Sequence, residues 1–148
     1  MQYPIVAWGA LRAGLTIVNT NPLYTKRELI YQFNDSGAKA LVSLSGNLDL
    51  IAEFLSETRI ERVIATNVPD MLNPQPLPES NLTGAVSLVE ALASGKEQSL
   101  GEVALTLDHI ALLQYAGGND GCTKGGRLNA RHFACGGTHV TGFFRRAN

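Results

Sequence analysis

Between residues 15 and 66 three short apolar runs alternate with two stretches that carry helical periodicity. This alternation narrows the available folds more than any other feature of the chain. The runs are Leu15–Val18, Ala40–Leu44 and Arg62–Thr66. The stretches between them place Leu29, Ile30 and Phe33, and then Leu48, Leu50, Ile51, Phe54 and Leu55, at helical spacing. Tight turns join antiparallel neighbours, so short strands separated by helices need crossover connections, and crossovers imply parallel strands. The pattern reads as βαβαβ: an α/β fold with a mainly parallel sheet and flanking helices.

Local signals mark the ends of these elements. Residues 3–13 set Ile5, Val6, Trp8 and Leu11 among small residues, with Pro4 suited to a first helical turn and Gly14 to a C-terminal cap. A short buried helix is expected there, with Trp8 in the core. Thr25 and Glu28 form a Thr-x-x-Glu capping box, in which each side chain satisfies an N–H of the first turn, and Gly37 closes that helix. Residues 68–83 hold four of the six prolines, which block ladder donation and helix interiors alike, so the segment reads as a surface loop. A helix over Ser87–Ala93, closed by Gly95, and a strand over Ile110–Tyr115 follow, with His109 as a surface residue near the strand's start.

That last strand runs into Gln114–Gly126, which contains five glycines and Lys124. Glycine permits positive φ and close backbone approach, so successive N–H groups can converge on an anion while a lysine adds charge. Beyond the carboxyl end of a strand, such a turn occupies the usual ligand position of an open α/β sheet. It is not a Walker loop, because Lys124 is followed by Gly125 rather than by Ser or Thr. The alternative reading is an ordinary glycine-rich surface turn.

Composition excludes several classes. With 148 residues, 45% apolar, 17% charged and a net charge of −1, the chain reads as one folded globular unit. Residues 121–148 carry five of the twelve Lys and Arg and no acid, but five charges are more often a solvated tail, and nucleic-acid binding is not expected. No apolar run approaches a membrane span and no secretory signal is present, so a cytoplasmic protein is expected. Two cysteines cannot build a disulfide framework. Cys122, His132, Cys135 and His139 are zinc-ligand types, but they lack the tight Cys-x2–4-Cys knuckle, and no metal site is expected.

Three stretches in order, Gln2–Gly14, Val18–Thr25 and Arg27–Ala38, resemble the N-terminal domain of bacterial long-chain acyl-CoA synthetases, which are adenylate-forming enzymes. The glycine turn resembles that family's phosphate loop, in which Leu-Gln-Tyr runs into Thr-Gly-Gly-Thr-Thr-Gly-x-x-Lys-Gly. Leu113, Gln114, Tyr115, Gly117, Gly118, Gly121, Lys124 and Gly125 fall on that pattern, whereas Ala116, Asn119 and Asp120 stand where the family has threonines. The resemblance implies a fatty acid–CoA ligase, with fatty acid, ATP, Mg²⁺ and CoA as its reactants and cofactors. It implies phosphate binding by Ala116, Gly117, Gly118, Asn119, Asp120, Gly121, Lys124 and Gly125, assigns no catalytic residue, and leaves peripheral contact with the inner membrane and the oligomeric state open. The likeness is close over residues 2–66, fades through the proline loop and returns from Asp108 to about Arg131, so residues 1–131 read as a fragment of the N-terminal domain with the proline-rich loop 68–83, and residues 132–148 as an atypical tail. The family's adenine motif, acidic ribose-binding residue, hinge and second lysine are not found. The fragment is therefore expected to be inactive alone, and a non-catalytic binding module with a relic phosphate loop is the alternative.

Overall fold

Ala40–Leu44 (β2) and Arg62–Thr66 (β3) lie side by side in parallel, Ala40 opposite Arg62 through to Leu44 opposite Thr66, as a helical crossover between them requires. The computed structural model describes residues 2–117 and 123–129. In chain order these form α1 (Gln2–Arg12), β1 (Ile17–Asn19), α2 (Lys26–Ser36), β2, α3 (Leu48–Phe54), β3, β4 (Val86–Ser87), α4 (Leu88–Gly95), β5 (Ile110–Gly117) and β6 (Thr123–Asn129). Short 3₁₀ turns at Ser45–Asn47 and Leu55–Glu57 bracket α3. The chain divides into two compact units, one built from Met1–Ile5 and Thr20–Gly101, the other from Val6–Asn19 and the stretch after Gly101.

The first unit holds the all-parallel sheet β2-β3-β4. Its core is Leu29 and Phe33 from α2, Leu48, Ile51 and Phe54 from α3, and Ile60, Val63 and Ala65 in and before β3. Phe33 and Phe54 meet with ring centroids 6.0 Å apart, tilted by 35°. Each such side chain, moved from water to the core, contributes about 1.5–3 kcal/mol. The expected cap of α2 is present: the Thr25 hydroxyl accepts from Glu28 N–H, and the Glu28 carboxylate accepts from Thr25 N–H at 2.7 Å. At its other end Gly37 takes φ +67°, where an L side chain would be strained. Lys26 ties α2 to the following layer through the Glu53 carbonyl at 2.9 Å and the Glu57 carboxylate at 3.1 Å. Val42, Ile64 and Val86 stand opposite one another on the face turned away from this core, and Val42 and Val86 are exposed.

The second unit holds the mixed sheet β1-β5-β6, with β1 parallel and β6 antiparallel to the central β5. Ala111 and Tyr115 of β5 are buried. Gly14, at φ +76°, delivers the chain into β1, and a Cβ there would come within 2.7 Å of Val103 Cγ1.

Two expectations need correction here. The runs near 15–18, 40–44 and 62–66 do not share one sheet, because β1 pairs with β5 rather than with β2. Periodicity identifies strands but carries no information on their neighbours. Helix α1 is not buried either: none of its residues is buried, Tyr3 and Ile5 are exposed, and Trp8 retains 46% of its accessible surface. Its apolar residues are distributed around the helix instead of forming one stripe, and such a helix cannot bury all sides against a single neighbour.

Candidate phosphate-binding hairpin

Strand β5 continues through Ala116 and Gly117, and β6 starts at Thr123, so the glycine-rich stretch joins two arms of an antiparallel hairpin. Ala116 stands opposite Lys124, Gly117 opposite Thr123, Tyr115 opposite Gly125 and Gln114 opposite Gly126. Of the sequence-derived phosphate-binding residues, Ala116, Gly117, Lys124 and Gly125 are thus strand residues brought together in register, where one continuous turn was expected. Gly118, Asn119, Asp120 and Gly121 lie outside the described residues, as do Cys122, His132, Cys135 and His139.

Parallel pairing of β1 with β5 brings the carboxyl ends of both strands to one edge, with Asn19 opposite Gln114. The Asn19 side-chain amide donates to Gln114 Oε1 at 3.4 Å, and Thr16 Oγ1 donates to the Ile110 carbonyl at 2.8 Å lower in the same pair of strands. Ligands in open α/β sheets bind outside the carboxyl ends of strands, which is the end where this hairpin turns. Exposed Arg127 on β6, opposite Leu113, adds a cation to the same arm.

Sequence reasoning missed β6 altogether. Its residues, Thr-Lys-Gly-Gly-Arg-Leu-Asn, have no alternation of apolar and polar positions and two central glycines, so only pairing with β5 makes them a strand. The Asn19–Gln114 contact was missed too, because its partners are distant in sequence. His109, expected at the surface, is half-buried, and its Nε2 is enclosed without a hydrogen-bond partner.

The first unit contains a polar node that no motif announced. Asp70 is 2% exposed, and its carboxylate accepts from Asn67 N at 2.7 Å, Thr66 Oγ1 at 3.0 Å, Asn67 Nδ2 at 3.2 Å and Gln75 N at 3.3 Å. Burial works toward the protonated form, but these donors together outweigh it and hold the carboxyl below its ordinary value. Gln2 Nε2 completes the arrangement by donating to the Asn67 and Val68 carbonyls at 2.8 and 3.0 Å. The node organises the start of the proline-rich loop. Among the described residues, no group of three or more His, Cys, Asp or Glu is arranged to hold a metal ion.

A profile of the family described as AMP-binding enzyme matches residues 1–143. The chain belongs to the AMP-binding enzyme family. Its similar relatives include the long-chain-fatty-acid–CoA ligase of Escherichia coli, 36% identical over 146 residues that cover 89% of this chain and 26% of that protein. The long-chain-fatty-acid–CoA ligase of Haemophilus influenzae is 37% identical over 142 residues, covering 86% of this chain and 25% of its own. Among solved structures, a long-chain-fatty-acid–CoA ligase from Archaeoglobus fulgidus superposes with a TM-score of 0.66 at 30% identity, over 89% of this chain and 23% of that one. An anthranilate CoA ligase in complex with anthranoyl-AMP gives a TM-score of 0.69 at 20% identity, over 88% and 23% of the two chains, a likeness of fold alone. The α/β architecture of this AMP-binding family member is therefore that of the N-terminal domain of adenylate-forming enzymes. The chain spans about a quarter of the length of the curated relatives it matches.

Proposed function

We propose that this chain supplies the phosphate-binding hairpin of an ATP-dependent long-chain fatty acid–CoA ligase, which converts fatty acid, ATP and CoA into acyl-CoA, AMP and pyrophosphate. In this reading residues 1–131 form part of the ligase's N-terminal domain. Ala116, Gly117, Gly118, Asn119, Asp120, Gly121, Lys124 and Gly125 line the nucleotide phosphates, backbone N–H groups and the lysine supplying the positive field. The observation that carries the reading is the strand pairing: in a member of the AMP-binding family, Lys124 of β6 stands opposite Ala116, and Thr123 opposite Gly117, at the carboxyl end of β5.

Mg²⁺ needs no dedicated protein cage. It keeps several waters and is held chiefly by substrate phosphates with one or two carboxylates, so it arrives with the nucleotide. Its chemistry there is to neutralise phosphate charge. Phosphoryl and adenylyl chemistry of this kind depends on positioning and charge stabilisation. With only a quarter of the relatives' length, the chain positions phosphates and has no turnover by itself.

A thermal-shift titration with MgATP tests the proposal. A ligand that binds only the folded chain stabilises it by about 2.7 kcal/mol at a hundredfold excess over its dissociation constant, so the melting temperature should climb with nucleotide concentration. An unchanged melting temperature through millimolar MgATP would refute phosphate binding and favour a non-catalytic module with a relic turn, the reading to which Asp120 lends weight.

A further inference from the structure

We draw no further inference here: the strongest candidate, the apolar row Val42, Ile64 and Val86 across the outer face of the parallel β2-β3-β4 sheet, carries nothing because nothing in the structure shows what covers it.

Discussion

Two aspartates make opposite demands on their surroundings. Asp70 is surrounded by donors, so its charge is matched by Asn67, Thr66 and Gln75. Replacing it by alanine leaves the Asn67 and Gln75 N–H groups unmatched and should destabilise the first unit by about 2–4 kcal/mol in chemical denaturation. The folded chain holds the Asp70 proton more weakly than the unfolded chain does. Its contribution is therefore complete above pH 3.8, the ordinary value, and is lost as the pH falls through the lower folded value. Asp70→Asn should lack this part of the acid limb, and parallel stability curves for the two proteins between pH 5 and 2 would contradict the assignment. Asp120 is the reverse case, a carboxylate in a turn proposed to hold phosphates, and a like charge at such range costs about 1–4 kcal/mol at surface dielectrics. Asn119→Thr combined with Asp120→Thr removes that charge and adds two hydroxyl donors, each worth about 0.5–1.5 kcal/mol. Calorimetry should find MgATP bound at least several-fold more tightly by the double variant, and equal affinities would mean that the turn does not contact phosphate.

At the scale of elements, the proline-rich loop proves to have two unlike halves. The first is fixed by Asp70, by the turns Leu72 N to Pro69 O and Asn73 N to Pro69 O at 2.8 Å each, and by the Asn67 side chain reaching the Gln75 carbonyl. The second packs Leu77 against the core and regains hydrogen bonds to another element at Asn81, whose N–H and side-chain amide both donate to Asp49 of α3. Between them Pro76–Ser80 is held by no backbone-to-backbone hydrogen bond. Local opening is cheapest where such bonds are fewest. Glu-specific proteolysis should therefore cut after Glu79 before it cuts after Glu57 or Glu61, which lie nearer the core strand β3, and the reverse order would overturn this view. Proline content marked the loop in the sequence, but its division into a half held by backbone hydrogen bonds and a half without them depended on the burial of Asp70, which composition cannot convey.

For the whole molecule, the two sheets belong to different compact units, and the proposed chemistry is confined to the second. The chain contains the turn proposed to hold phosphates but spans about a quarter of the ligases it resembles. Incubated with fatty acid, MgATP and CoA, it should form no thioester even under conditions where MgATP raises its melting temperature. Measurable acyl-CoA would show that these residues contain a complete active site. Separating the two readouts matters, since binding without turnover is the outcome expected of a positioning element.

Sequence alone determined the features whose physics is local. The capping box of Thr25 and Glu28 and the left-handed turn at Gly37 depend on neighbours a few residues away, and both are as expected. Strands near 40–44, 62–66 and 110–115 were legible from apolar runs, and so was the parallel pairing that a helical crossover enforces. Tertiary structure alone decided which strands are neighbours. Leu15–Val18 carried nothing to distinguish pairing with β2 from pairing with β5, because edge-to-edge partners are selected by packing across residues 95 positions apart. It also turned an unpatterned glycine-rich segment into β6, left the apolar helix α1 without a buried face, and enclosed Asp70, three outcomes that depend on what surrounds a residue rather than on what the residue is.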